Sequence, residues 1–246
     1  MPRYRLLIEY DGNGFVGWQR QANGPSIQEA LETAAAPLGC PPGGIRGAGR
    51  TDAGVHATGQ VAHLDLAKAY RVDSVRDAVN SRLKPHRIAV RAVEAVGEDF
   101  DARHSAVRRR YLYRIVNRRA PLALDAGQCW LVKPRLDADA MAQAAQGLLG
   151  LHDFSTFRDS ECQAASPVRT LDGFDVARDG ERIEIRVWAR SFLHRQVRSM
   201  VGSLTYVGLG KWSAADLRAA LDARDRRRCG QVAPADGLYL TGVDYA

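Results

Sequence analysis

The sequence predicts an α+β fold made of two tandem βαββαβ halves, and three observations point to it. Stretches of alternating apolar residues and stretches of helical spacing follow one another in the same order in each half. Clusters of Gly, Pro, Asn and Asp separate them. Hydrophobic residues at 46% and charged ones at 26% of 246 residues make an ordinary globular chain, large enough for one big or two small domains.

The first half begins with an apolar and aromatic strand, Arg3 to Tyr10, that stops at Asp11-Gly12-Asn13-Gly14. Ser26 and Glu29 form a capping box after Pro25, and Ile27, Ala30, Leu31 and Ala34 recur at helical spacing until Pro37. Pro41-Pro42-Gly43-Gly44 breaks the chain before a strand near Ile45 to Gly49. Ala62, Leu64 and Leu66 alternate with His63 and Asp65 in the next strand, Val75, Val79 and Leu83 mark a second helix, and Ile88 to Val96 forms a further strand.

The second half repeats the order with a strand at Tyr111 to Asn117 and a helix from Asp137 to Leu149 closed by Gly150. A hairpin runs from Val168 to Ala177, turns at Asp179-Gly180 and returns through Ile183, Ile185 and Val187. A long helix from about Phe192 to Gly208, a helix capped by Ser213 and Asp216, and a final strand from Leu238 to Asp244 complete it. Two such units predict two ferredoxin-like halves, residues 1–104 and 105–246, with antiparallel sheets joined side by side around a central cleft.

Composition narrows the function classes. No apolar run approaches the ~18 residues of a membrane span, and the Met1-Pro2-Arg3-Tyr4 start lacks a signal-peptide core, so a cytoplasmic location is expected. The four cysteines contain no C-x-x-C pair and read as reduced thiols. Of 35 basic residues only four are lysines, against 28 acidic residues, for a net charge of +7. That arginine excess has two readings: a polyanion partner gripped by guanidinium forks, or a GC-rich genome writing arginine wherever a cation is tolerated.

Chemistry concentrates in Gly47-Ala48-Gly49-Arg50-Thr51-Asp52-Ala53-Gly54-Val55-His56-Ala57, where glycines and small residues surround one cation and one carboxylate. Glycines allow positive φ and close approach of a ligand, and the lack of bulk leaves Asp52 reachable. The plainer alternative is a hairpin turn in which Asp52 bonds a nearby amide. A phosphate cradle is excluded, because Asp52 stands where a dinucleotide fingerprint needs its third glycine and no Gly-Lys-Ser/Thr ending follows.

The Gly49–Ala57 segment resembles the catalytic loop of the tRNA pseudouridine synthases of the TruA family, and the resemblance spans nearly the whole chain. It includes Tyr10-Asp11-Gly12 with Phe15 and Gly17-Trp18-Gln19, then Phe100-Asp101-Ala102-Arg103 and Tyr111-Leu112-Tyr113. It continues through Leu149 to Ser155, Ser166-Pro167-Val168-Arg169-Thr170, Phe192 to Arg198 and Ala233 to Leu240. Eight motifs in the family's order are a far more specific signal than any one of them. Ser199, where asparagine is common, and Ile27 for valine are the departures.

The resemblance implies a cofactor-free homodimeric isomerase that converts uridine to pseudouridine at positions 38, 39 and 40 of the tRNA anticodon stem-loop. It implies that Asp52 is catalytic, as an ionised carboxylate that adds to C6 of uracil, attacks C1′ or deprotonates C2′. Arg198 is implied to pair with that Asp, Tyr111 to stack on the extruded uracil, and Arg50 to intrude beside the flipped base. By pattern alone Tyr111 is equally a half-buried strand tyrosine and Arg198 a solvated helix charge. Arg103, Arg108-Arg109-Arg110, Arg114, Arg118 and Arg119 are expected to supply part of a basic cleft. His56 and His63 have poor spacing for a metal site, with no third ligand or nearby Cys. The rival reading is an RNA-binding or tRNA-folding protein of the same fold without chemistry, in which an exposed carboxylate facing a polyanion has no use.

Overall fold

Every second side chain of Arg3–Tyr10, strand β1, is buried in the computed structural model of the protein, which describes all 246 residues. Tyr4, Leu6, Ile8 and Tyr10 form that inner face. Helix α1 (Ile27–Ala35) starts where Ser26 accepts the Glu29 amide at 3.2 Å and buries Ile27, Leu31, Ala34 and Ala35. Strand β2 is only Arg46–Gly47, whereas β3 runs ten residues, His56–Asp65, starting immediately after the glycine-rich loop. Helix α2 (Val72–Leu83) buries Val75, Val79 and Leu83, and its Asn80 both donates to and accepts from the Val90 backbone, at 2.8 Å each, on strand β4 (Ile88–Val96). That side-chain amide takes the place of a neighbouring strand at this point of the β4 edge.

By contacts the chain divides into two units, Met1–Val107 with Tyr239–Ala246, and Arg108–Leu238. The second unit contains most of β5 (Ala106–Val116), short β6 (Trp130–Leu131) parallel to it, and α3 (Ala138–Gln146), capped by Asp137. Strand β7 (Gly150–Asp153) follows, then the hairpin β8 (Val168–Asp179) and β9 (Arg182–Ala189). Helices α4 (Gln196–Gly208) and α5 (Ala214–Ala223) come next, α5 with a complete capping box from Ser213 and Asp216. The strand order is β5-β9-β8-β7. Tyr113, Ile115, Phe174, Ile183, Ile185 and Val187 form the core of this unit with Met141, Met200 and Leu204 of the helices. A bulge at Leu171/Gly173 lets Gly173 pass the Trp188 ring, where a Cβ would lie 1.9 Å from Cζ2.

The last strand, β10 (Leu238–Tyr245), pairs in parallel with β3, Tyr239 against His56 and Leu240 against Ala57. The first unit therefore has the order β4-β1-β3-β10. Its second sheet face carries a smaller cluster of Ala48, Val61 and Ala102, with Leu7, Phe100, Val243 and Tyr245 packed on it.

Several expectations are corrected. The sheets are not wholly antiparallel, since β3/β10 and β5/β6 are parallel pairs. The strand expected at Ile45 to Gly49 shrinks to two residues because the glycines that follow it form the loop rather than extend the ladder. Helix α3 ends at Gln146, and Gly150, at φ +88, opens β7 instead of closing the helix. Helix α4 does not begin at Phe192: Arg195 is left-handed, at φ +56, so helical geometry starts only at Gln196.

Candidate active site

The loop between β2 and β3 turns at Asp52, whose carbonyl accepts the Val55 amide at 3.1 Å, while Gly54 takes φ +75. A type II turn needs that left-handed third position, which explains the glycine. Asp52 is half-buried beside an exposed Ala53 and a buried Thr51. Thr51 is held on both sides: its hydroxyl lies 2.8 Å from the Tyr10 hydroxyl, and its carbonyl accepts the Trp18 amide at 3.0 Å. Buried Gln60 donates to the Gly49 carbonyl at 2.9 Å, anchoring the other end of the loop on β3. Burial pushes the Tyr10 phenol far above its ordinary range, against the opposing bonds to Thr51 and Gln60, so it stays neutral.

The segment after β1 forms a second wall. A Cβ on Gly12 would lie 2.2 Å from the Val55 carbonyl oxygen, and one on Gly17, already at φ +114, 2.5 Å from that of Thr51. Both glycines are thus required for backbone-to-backbone approach. His56 accepts the Gly12 amide on Nδ1 at 3.1 Å and stacks on Tyr239 with ring centroids 4.7 Å apart. Burial opposes ionisation of Asp11, but the Asn13 amide and the Arg87 guanidinium outweigh it and hold the carboxyl below its usual range. His63 accepts the Ala102 amide at 3.0 Å, and burial lowers its pKa, consistent with a neutral acceptor.

Arg50 is exposed and steered by a relay of amides from α1. Glu32 accepts from Gln28, Gln28 accepts from Gln19 at 2.7 Å, and Gln19 accepts from Arg50 Nε at 3.1 Å. The relay fixes the stem of Arg50 while its terminal nitrogens lack a partner on the protein.

The other two candidates belong to the second unit. Tyr111, half-buried on β5, meets Phe192 edge to face at 5.2 Å. Arg198 is the third residue of α4, and its Nε donates to the Ala233 carbonyl at 2.8 Å while its own carbonyl accepts the Ala233 amide. Asp52 and Arg50 therefore share one loop, and Tyr111 on β5 and Arg198 on α4 both belong to the second unit. The basic run is sorted by the structure. Arg109 is buried and bonds the Arg190 carbonyl, and Arg118 ties the Ala120 and Pro121 carbonyls to Glu181, whereas Arg103, Arg110 and Arg119 are exposed. Sequence reasoning missed the supporting residues Thr51, Gln60 and Gln19, whose signal is only their nearness to the loop and to α1.

Fold and site thus define an α+β protein that presents one carboxylate on a tightly buttressed glycine-rich turn. A family model described as tRNA pseudouridine synthase matches residues 6–105 and 144–246. Asp52, Arg50 and Arg198 fall inside the matched stretches, and Tyr111 between them. Curated relatives called tRNA pseudouridine synthase A match the full chain: that of Beijerinckia indica is 68% identical over 100% of this chain and 94% of its own. The Methylocella silvestris and Maricaulis maris proteins are 65% and 64% identical over 100% of this chain and 99% and 98% of theirs. Among solved structures, an unknown protein from Galdieria sulphuraria aligns over 84% of this chain and 91% of its own, with a TM-score of 0.23 and 12% identity. The chain belongs to the tRNA pseudouridine synthase family, isomerases that act on uridine in tRNA.

Proposed function

We propose that this protein converts uridine to pseudouridine at positions 38, 39 and 40 of the tRNA anticodon stem-loop, without a cofactor and with Asp52 as the catalytic carboxylate. The observation that carries the reading is the buttressed Asp52 turn, held by Tyr10, Trp18 and Gln60, in a chain of this family. The isomerisation breaks the bond from ribose C1′ to uracil N1, rotates the base, and joins C1′ to C5; the C5 proton is lost to solvent and the freed N1 takes up a proton, so the product is an isomer of the substrate. Atoms and electrons balance without a redox partner. The carboxylate initiates the exchange, and a rigid loop keeps it at one distance from the reacting atoms.

Extrusion of the uridine from its stack costs a few kcal/mol. Arg50, with its stem fixed and its terminal nitrogens unpartnered, is suited to fill the vacated space, and Tyr111, braced by Phe192, to stack on the base. Arg198 supplies the positive charge that keeps the carboxylate ionised, a role the family resemblance supports. The same reading takes residues 1–104 and 105–246 as two ferredoxin-like halves, the first with the Asp loop and the second with the stacking Tyr and the pairing Arg. The β4-β1-β3 order in the first unit supports this. It also takes the protein as a cytoplasmic homodimer, and no helix is long and apolar enough to cross a membrane. Incubation with an unmodified tRNA transcript, followed by mass-spectrometric mapping, tests the assignment. Pseudouridine confined to positions 38 to 40 is expected, and modification elsewhere alone overturns it.

A further inference from the structure

Asp159 is a nearly buried carboxylate to which the family reading gives no role, and it is a hub. Its side chain is 7% exposed and accepts Arg195 Nη1 at 3.0 Å and the Glu161 amide at 3.0 Å, with His194 Nδ1 at 3.6 Å. Its backbone amide donates to the His194 carbonyl at 3.1 Å, and its carbonyl accepts the Cys162 amide. The His194 amide in turn points at the Cys162 sulfur at 3.5 Å. The loop from Asp159 to Cys162 thus grips the turn Leu193–Arg195 from both backbone and side chain.

That turn contains a strained residue. Arg195 sits at φ +56, a region L side chains rarely adopt, and one of only two non-glycine residues in the chain to do so. Its carbonyl accepts the Ser199 amide, the bond that begins α4, and Gln196 bonds back to Leu193 through both its amide and its side chain. The left-handed step decides where α4 starts and in which direction. Phe192, against Tyr111, stands just before it, and Arg198 stands three residues after.

We propose that Asp159 is a positioning residue for the reaction: its ion pair with Arg195 holds the left-handed turn that sets Phe192, and through it Tyr111, on one side and Arg198 on the other. The inference rests on the reading that Tyr111 and Arg198 serve the reacting uridine.

The decisive comparison is Arg195→Ala against Arg195→Gly. Both delete the guanidinium and any contact it makes with RNA, but only alanine is strained at this φ. Arg195→Ala and Asp159→Asn are expected to lower kcat about tenfold with KM for tRNA held within about threefold, the signature of misplacement rather than lost binding. Arg195→Gly is expected to keep kcat within about threefold of wild type, and Asp159→Asn with Arg195→Gly to recover most of the loss of Asp159→Asn alone. Equal loss in the alanine and glycine variants assigns Arg195 to RNA contact and overturns the proposal. So does an unchanged kcat in Asp159→Asn while Arg198→Ala is inactive. If Arg198→Ala and Tyr111→Ala both turn over normally, the underlying reading fails instead, and the inference with it. Should Asp159→Asn fail to fold, the pair at exposed Arg195 carries the test alone.

Discussion

Tyr111 and Tyr113 lie two residues apart on one strand, yet their environments separate their uses. Tyr113 is fully buried, its hydroxyl donates to the Pro234 carbonyl at 2.8 Å, and burial raises its pKa well above the ordinary value, so it is a core residue. Tyr111 is only half-buried and meets Phe192 edge to face at 5.2 Å, the environment of a residue outside the core. If stacking is its contribution, Tyr111→Phe retains turnover, whereas Tyr111→Ala loses a contact worth roughly 1 to 3 kcal/mol, about 5- to 150-fold in kcat/KM. Full activity in both variants removes Tyr111 from the site. Alternation in Tyr111-Leu112-Tyr113 could not distinguish the two tyrosines, because Pro234 and Phe192, which decide the matter, are far along the chain. Asp52 was legible because its neighbours are local: the glycines that permit the turn adjoin it in sequence.

Elements were legible where a short-range signal starts or stops them. Ser213 and Asp216 close the capping box their spacing predicts, while at α1 Ser26 accepts the Glu29 amide but the Glu29 side chain pairs with Arg20 rather than reaching back, and Gly180, at φ +55, turns the β8–β9 hairpin. The helical spacing of Phe192 to Gly208 overruns helix α4, whose start is imposed at Arg195 by Asp159, 36 residues earlier. Strand β10 reads as a strand from its own residues, but its parallel partner β3 cannot be inferred from them. The loop elements around Asp52 make a sharp prediction of their own. Gly17→Ala places a Cβ 2.5 Å from the Thr51 carbonyl at a φ that disfavours any side chain, so the Asp52 turn must shift. A displacement of about 1 Å there is expected to lower kcat roughly 100-fold, with tRNA affinity changed by far less. Steady-state kinetics beside filter binding checks this, and an unaltered kcat contradicts the buttress.

For the whole molecule, stability and function depend on how distant strands are tied together. Arg3 on β1 holds Asp65 on β3 through two bonds of 2.8 Å and also donates to the Phe100 carbonyl at 2.9 Å beyond β4. The Arg3 bond holds the Asp65 carboxyl below its usual range, against a smaller opposing effect of burial. A carboxyl depressed in the folded state contributes stability above its unfolded pKa, near 4, and loses it as pH falls through the folded value. The pair is part-exposed, so about 0.5 to 1 kcal/mol is expected, or roughly 1 to 4 °C in Tm. Asp65→Asn should therefore lower Tm at pH 7, with the difference from wild type shrinking as pH falls below about 4; a difference that does not shrink on acidification contradicts the ion pair.

The central claim is that Asp52 carries the chemistry of an enzyme rather than decorating an RNA-binding protein of the same fold. Its direct test is tritium release from tRNA labelled at uridine C5, measured for wild type and Asp52→Asn beside the affinity of each for the same tRNA. Release by wild type alone, with comparable binding by both, is the predicted result. Release by both proteins, or by neither despite tight binding, would contradict it.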